Sequence, residues 1–418
     1  MRFFSEFELM QHIHQLGGTL YRVGGQVRDT MLNRDIKDRD YVVTGLNPSD
    51  MVGFDKVVGS SFPVFIVDCG KFGQVEVALA RTEKKVSVGH NGFTFHSGSS
   101  VTIEEDLKRR DLTINAIAQR VDSQELIDPF GGQVHIQMKR LVVVDEETFV
   151  EDPLRAYRVA RFAATLDGFD VDEETRNLIS TMRASLQELS PERVYGELKK
   201  AMMGSHPSHF FQTLRWSGLL SVHFPEVWAL DVPDMHDGTA LRHTLRLLDR
   251  SPADFKVRMG LLAHDLGKGR TPPGDHPHHY GHDQLGQYPV NELCLRLRIP
   301  SDVSRIMIKS ATEHMKIKVI PEMRPGNLIR WVWDHHRDVV YLVLVSEIDS
   351  KKRLLANHKE QEELFKNIRA RLLKAHMAIG SVNGQDLIGD GILPDRNFGE
   401  KLHQRRVEKF REIERESR

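Results

Sequence analysis

TLYRVGGQVRDTMLNRDIKDRDYVVTG, residues 19–45, holds two strand-like runs, TLYRV (19–23) and RDYVVTG (39–45), with space for one helix between them. Their β-branched and aromatic residues suit a pleated, half-buried surface. Gly24 and Gly25 follow the first run and VRD opens the helix. At such a junction the free backbone N–H groups of a helix start can hold phosphate, and Arg28 adds a charge-assisted contact. A glycine pair after a strand is also a plain tight turn, and Asp38 and Asp40 decide between the two. They stand one residue apart at the head of the second run, so strand alternation turns both carboxylates to one face. Converging hard oxygen ligands suit Mg2+, and a pair of such ions can activate an attacking hydroxyl and steady a leaving pyrophosphate. The bland reading, an exposed strand of alternating charge, fits poorly beside a phosphate loop.

Two further strand-like runs follow, FPVFIV (62–67) and GQVEVALA (73–80). Glu76 supplies a third carboxylate if its strand lies beside the one carrying Asp38; otherwise it faces solvent. The Gly/Ser/Lys/His stretch from Lys84 to Ser100 reads as a long mobile loop. Beyond it, IEEDLKRRDLTINAIA (103–118) reads as a charged helical run. After Val150 the pattern is almost wholly helical, with apolar residues at three and four spacing in LRAYRVARFAATL (154–166) and RVYGELKKAMM (193–203). The fold class is therefore α+β: a small mixed-sheet head, then helices. Punctuation near Pro225, near Pro233 and through TPPGDHPHHYG (271–281) divides the helical part, and boundaries are expected near 140, 225 and 350.

The 418 residues are 40% hydrophobic and 28% charged, the composition of ordinary globular protein. Cys69 and Cys294 match no zinc or disulfide framework and read as buried thiols in a reducing compartment. No stretch approaches a membrane span and no signal peptide is legible, so a cytoplasmic protein is expected. A net charge of −1 argues against a strongly basic RNA-coating protein. RNA contact would use local patches: Lys108 to Arg110, Arg155 with Arg158 and Arg161, Lys199 with Lys200, or Lys401, Arg405, Arg406, Lys409 and Arg411. Each patch alone reads better as a solvated helix face than as an RNA contact.

RVGGQVRD (22–29), KDRD (37–40), RRDLTINA (109–116), DPFGG (128–132) and EDPLRAYRVARFA (151–163) together resemble the class II tRNA nucleotidyltransferases, the family shared by CCA-adding enzymes and bacterial poly(A) polymerases. The likeness runs from Tyr21 to Met203. It implies a five-stranded nucleotidyltransferase head followed by helical neck, body and tail. It assigns Gly25 and Arg28 to the triphosphate, Asp38 and Asp40 to the catalytic metals, and Arg110, Asp111 and Asn115 to ribose and phosphate. Asn33 departs from the family's usual glycine, but asparagine tolerates a left-handed backbone.

Beside these motifs, EDPLRAYRVARF acquires a role in choosing the base. Pro153 suits a first helical turn, and Asp152 and Arg155 at i and i+3 project to one side. A carboxylate accepts from an exocyclic amine and a guanidinium donates to the neighbouring ring nitrogen, a pair that cytosine and adenine both offer. Uracil and guanine reverse that polarity and would leave buried groups unpaired, at roughly 1–3 kcal/mol each. Alone, the two residues would be a helix-start ion pair. Arg158 and Arg161 continue the face and are expected to hold triphosphate, although simple helix solvation fits Arg161 better than Arg158.

The helical half gathers His243, His264 and Asp265 in LLAHDLGKG, and a histidine-rich stretch with His276, His278, His279 and His282. An adjacent His-Asp pair in an apolar helical run is costly to bury unpaired, and a metal compensates both groups. The spacing resembles the HD-domain phosphohydrolases, whose pattern of one His, a His-Asp pair and a distant Asp is completed here by Asp349. His276, His278 and His279 read as a solvated loop; His282 and His314 stay open. The combination is similar to the multifunctional bacterial CCA-adding enzymes. That likeness implies template-free addition and repair of the tRNA 3′ CCA from CTP and ATP with Mg2+. It also implies phosphatase, 2′-nucleotidase and 2′,3′-cyclic phosphodiesterase activities in the HD domain, with Ni2+, Co2+ or Mn2+. The implied division is a catalytic head (1–140), a selecting neck and body (141–225), an HD domain (226–350) and a tRNA-contacting tail (351–418), as monomer or homodimer with no membrane partner. The rivals are a poly(A) polymerase and an HD nucleotidase whose degenerate head binds RNA. The near-neutral charge and HDLGKG speak against the first, and intact Asp38, Asp40 and Arg110 against the second.

Overall fold

The computed structural model describes residues 2–51, 54, 57–58, 63–85, 93–235, 238–350 and 358–416. The chain forms two compact units, residues 1–222 and 223–418. The first carries a mixed sheet of eight strands: β1 (Arg2–Phe3), β2 (Thr19–Val23), β3 (Asp40–Thr44), β4 (Val57–Val58), β5 (Val64–Cys69), β6 (Gln74–Leu79), and, after the hairpin named below, β9 (Ala118–Arg120) and β10 (Leu126–Ile127). Their order is β1-β5-β6-β3-β2-β9-β10, with β4 on β5. β3 runs antiparallel to β2 and parallel to β6, which sets Asp40 level with Glu76. The five strands longer than two residues are β2, β3, β5, β6 and β9; β1, β4 and β10 extend that five-stranded core by two residues each.

Alternation buries both faces of the sheet. Leu20, Tyr41, Val43 and Val77 pack on one side under the helix Glu6–Gln15, whose Leu9 and Ile13 are fully buried. Tyr21, Val23 and Val42 pack on the other with Ile103 and Leu107. Cys69 and Cys294 are free, buried thiols.

Two expectations are corrected. The stretch from Lys84 to Ser100 is not all loop: β7 (Arg81–Lys85) pairs antiparallel with β8 (Phe93–Ser97), while residues 86–92 of the expected mobile loop lie outside the described residues. Nor is 103–118 one helix. It ends at Lys108, and a 3-10 turn, Thr113–Asn115, leads into β9. The cause is Asp111, whose Oδ1 accepts from the Leu112 N–H and from Asn115 Nδ2, giving the backbone a local alternative to helix.

Beyond the sheet, the helix Leu154–Thr165 packs on Pro191–Met202 and Ser208–Trp216. The second unit is helical. Phe255–Ala263 packs against Ser301–Ile317 and Val339–Ser350, and Pro325–His335 packs with His358–Gly380 and Phe398–Glu416. Among the described residues no helix is long and apolar enough to cross a membrane.

Candidate functional site

Gly24 turns the chain from β2 into the helix Gly25–Met31 with φ +65°, and a Cβ there would sit 3.0 Å from Arg110 Nη1. Glycine is therefore required both by the backbone and by the closeness of the guanidinium. Asn33 adopts φ 51°, the left-handed conformation expected of it. Asp38 precedes β3 and Asp40 begins it, and both line a cleft of 530 Å³ with Gly25, Arg28, Arg110, Asp111 and Asn115. Every sequence-derived head residue lines this cleft except Glu76, which shares an adjoining, smaller cleft of 320 Å³ with Asp38 and Asp40.

Hydrogen bonds tie the scattered motifs into one floor. Arg28 donates from Nη1 to Asn115 Oδ1 at 2.6 Å, Asn115 donates to Asp111, and Arg158 Nε donates to Asp111 Oδ2 at 2.7 Å. Burial would raise the Asp111 carboxyl, but Arg158 and Asn115 outweigh it and hold the group well below the usual range. Asp106 behaves alike: burial is overcome by Arg109 and Arg110, and its carboxyl stays at about 2. Asp40 goes the other way. Burial pushes its carboxyl up, Glu76 adds repulsion, Arg110 offsets part of it, and Asp38 adds more. Carboxylates crowded without a full complement of cationic partners are the donor set that hard divalent cations accept. Arg110 Nε is buried without a hydrogen-bond partner beside them.

Asp152 and Arg155 both line the cleft, and each is held by partners of its own. Asp152 breaks the chain between the helices Glu146–Glu151 and Leu154–Thr165, in extended conformation, with Pro153 capping the second. Its carboxylate pairs not with Arg155 but with Arg193, Nη2 lying 3.2 and 3.1 Å from its two oxygens. Arg155 is buried and pinned by two backbone carbonyls, donating to Thr148 O at 2.8 Å and Arg109 O at 2.6 Å. Arg161 does not solvate its helix: its Nε donates to buried Glu197 at 2.5 Å and its guanidinium stacks 3.8 Å over Phe162. Sequence reading missed Arg193, Arg81 and Glu83 and offered Arg109 only as part of a basic patch; all four line the cleft. Of the tail's basic cluster, Lys401, Arg405 and Lys409 pair with Asp395, Asp390 and Glu412.

In the second unit, His243 comes from the helix Ala240–Arg250, and His264 ends the buried helix Phe255–Ala263. Asp265 opens the following 3-10 turn, and Asp349 sits in Val339–Ser350. These four sequence-derived residues converge. His243 Nε2 is 3.2 Å from Asp349 Oδ1, and His264 Nε2 is 3.2 Å from Asp265 Oδ2 and 3.8 Å from Asp349 Oδ1. Two histidines left open join them: His282 Nε2 lies 3.4 Å and His314 Nε2 3.8 Å from Asp265 Oδ1. Gly267 makes this possible, since a Cβ there would stand 1.9 Å from the His282 carbonyl oxygen.

The donor chemistry fits a metal. Carbonyl oxygens only accept, so His264, His282 and His314 each hold their proton on Nδ1, donated to Leu261, His279 and Ser310. Their Nε2 lone pairs are thereby aimed inward, the second-sphere arrangement of metal-ligating imidazoles. Lys268 Nζ stands 2.8 Å from Asp265 and Lys318 Nζ 2.9 Å from Asp349 at the mouth. Of the loop histidines, His278 is exposed as expected, but His279 is not: it is buried, bonded to Thr271 Oγ1 and to Pro233 O, because it closes the turn under the site.

Comparison with known proteins places both units. The poly A polymerase head domain matches residues 20–142, and the probable RNA and SrmB-binding site of polymerase A matches residues 168–231. The multifunctional CCA protein of Acinetobacter baumannii (strain SDF) is 39% identical over 94% of this chain and 97% of its own. That of Vibrio cholerae serotype O1 is 39% identical over 93% and 98%. Among solved structures, the Bacillus stearothermophilus CCA-adding enzyme in complex with CTP superimposes with TM-score 0.64 at 25% identity, over 94% of this chain and 89% of that one. The Thermotoga maritima CCA-adding enzyme complexed with tRNA shares the fold at TM-score 0.64 and 20% identity, over 98% and 95%. The likeness to the Acinetobacter and Vibrio proteins takes in the helical second unit as well as the head, so the chain belongs to the multifunctional CCA protein family.

Proposed function

We propose that the first unit adds CMP and AMP to the 3′ end of tRNA from CTP and ATP, releasing pyrophosphate, with no nucleic-acid template. The observation that carries this reading is a single cleft holding Asp38 and Asp40 together with a preorganised Asp152 and Arg155. The RNA 3′-hydroxyl oxygen bonds to the α-phosphorus, the α–β bridging bond breaks, and the hydroxyl proton leaves as the oxygen attacks. Mg2+ held by Asp38 and Asp40, with Glu76 beside them, would supply Lewis-acid charge to this displacement. Gly25, Arg28 and Arg110 meet the triphosphate, and Asp111 and Asn115 fix Arg158 and Arg28 from below while presenting a polar edge to ribose. Arg161, held by Glu197, closes the cationic wall. The test is incubation with tRNA ending at its discriminator base and each labelled nucleoside triphosphate, reading the added tail: an A-only tail of many residues would make the protein a poly(A) polymerase instead.

The Arg193 contact sharpens the protein-template idea. A carboxylate alone can rotate, but Asp152, gripped by Arg193 and by the Leu154 N–H, and Arg155, pinned on two carbonyls, offer a fixed acceptor and donor. Arg193→Ala, like Asp152→Ala, is expected to let UTP or GTP compete, raising misincorporation roughly ten- to a hundred-fold for about 1–3 kcal/mol of lost discrimination. Arg28→Ala and Arg110→Ala should instead slow all nucleotides alike. Unchanged selectivity in the Arg193 and Asp152 variants would remove this role.

The second unit supports a phosphohydrolase reading, favoured by the convergence of His243, His264, Asp265 and Asp349 in one buried cluster. His243, His264, Asp265 and Asp349 would hold a divalent transition metal such as Ni2+, Co2+ or Mn2+, which would supply charge to a phosphate ester and acidity to water. In hydrolysis of a 2′,3′-cyclic phosphate the water oxygen bonds to phosphorus, one ester P–O bond breaks, and the freed ribose oxygen takes a proton. Lys268 and Lys318 stand where they can meet the phosphate.

A further inference from the structure

We propose that Phe162 is a positioning residue for the nucleoside triphosphate: its ring gathers the Arg28, Arg158 and Arg161 guanidinium groups into one phosphate-binding array. This rests on the nucleotidyl-transfer reading of the cleft and specifies how the cleft holds its cations ready for a polyphosphate.

The array is drawn from two helices. Arg28 lies on Gly25–Met31, whereas Arg158, Arg161 and Phe162 lie on Leu154–Thr165. All four residues line the same cleft, and the ring itself is only 4% exposed. The guanidinium carbons stand 3.8 Å (Arg161), 5.2 Å (Arg28) and 5.7 Å (Arg158) from its centroid. Each is inside the distance of about 6 Å at which the negative face of an aromatic ring attracts a cation. Arg158 meets the ring because it stands four residues earlier on one helix face. Arg28 meets it from the other helix, so the ring also ties the glycine turn to the base-selecting segment.

Three like charges this close repel one another, and burial penalises them further. Burial draws the Arg28 and Arg161 guanidinium groups below their ordinary value against the pull of Asp29 and Glu197, and Arg158 adds repulsion at Arg161. Carboxylates meet part of the demand: Asp29 lies 2.9 Å from Arg28, Asp111 2.7 Å from Arg158 and Glu197 2.5 Å from Arg161. A further carboxylate would steady the array and then repel the phosphates the array is there to bind. An aromatic ring attracts cations through its quadrupole and carries no net charge. Phe162 therefore holds the guanidinium groups together without competing with a polyphosphate for them.

The test separates the electrons of the ring from its bulk. In the full-length protein Phe162 is replaced by mono-, di- and trifluorinated phenylalanine, which keep its shape while progressively draining the negative face. KM for CTP and for ATP should climb stepwise along the series, by roughly ten-fold at the trifluorinated ring. The kcat should stay within about two-fold, because the array grips phosphate before and during transfer alike. Inhibition by inorganic tripolyphosphate should weaken in parallel, and the preference for C and A over U and G should not move. Phe162→Leu should fall at the far end of the series. A flat series would reduce the ring to packing and overturn the proposal, leaving nucleotidyl transfer standing. A rise in KM with unchanged tripolyphosphate inhibition would set the ring against base or ribose and overturn it as well. A parent that neither binds CTP in calorimetry nor extends tRNA would overturn both readings.

Discussion

Protein carrying Asp40→Ala or Asp38→Ala is expected to add no CMP or AMP to a truncated tRNA, while tRNA affinity measured by filter binding stays within about two-fold. Removing the ligands of a cation that neutralises the developing charge costs several kcal/mol in the transition state, which is roughly a thousand-fold or more in rate. RNA grip depends on other groups. The physical state of Asp40 sharpens the test. It is buried and crowded by Glu76 and Asp38, with Arg110 as partial compensation, so its ionised form is disfavoured. Thermal unfolding in chelator should therefore show Asp40→Ala at least as stable as the parent. A dead enzyme that is also strongly destabilised would point to a structural role for the carboxylate, and a variant retaining near-normal turnover would remove the metal assignment.

The sheet was legible where two signals coincided. TLYRV became β2 residue for residue and RDYVVTG contains β3, because glycines end one strand and carboxylates begin the other. The sequence left open whether β6 lies beside β3; it does, and Asp40 is level with Glu76. The hairpin after Arg81 was illegible for the opposite reason. Its strands pair with one another, outside the main sheet, and β7, RTEKK, carries no apolar residue to mark it. What anchors its base is an ion cluster: Arg81 and Arg109 both donate to Glu83, and Arg109 also to Asp106. The helix expected across 103–118 failed because spacing alone does not show that Asp111 will take the Leu112 N–H for itself.

The same limit explains the site. Residues within one motif could be placed on a common face, but Arg193 reaches Asp152 across 41 positions and no periodicity reveals it. Its signal was chemical: Asp152 needs a cation once Arg155 is drawn to backbone carbonyls. His282 and His314, 32 positions apart, were indistinguishable from loop or core histidines until Gly267 allowed the short helix carrying His282 to close on Asp265. His279 was misread because a His-rich, Pro-rich stretch looks solvated, although its ring bridges Thr271 and Pro233 in the interior.

His264→Ala should abolish hydrolysis of 2′,3′-cyclic phosphates and 2′-nucleotides and leave CCA addition with Mg2+ at the parent rate. The nucleotide cleft is lined wholly by residues of the first unit and the His-Asp cavity wholly by residues of the second, so neither lends the other a ligand. Loss of the His264 imidazole removes a fixed ligand and several kcal/mol of charge stabilisation, again roughly a thousand-fold in rate. Asp265→Asn should act alike with less change in packing, and Asp38→Ala should hydrolyse normally. Because imidazole nitrogens hold first-row transition metals far better than Mg2+, which prefers oxygen ligands, Ni2+, Co2+ or Mn2+ should restore a chelated parent and Mg2+ should not. A buried polar network with no catalytic part would behave otherwise: the parent would hydrolyse nothing with any cation, and His264→Ala would register only as a lower unfolding temperature.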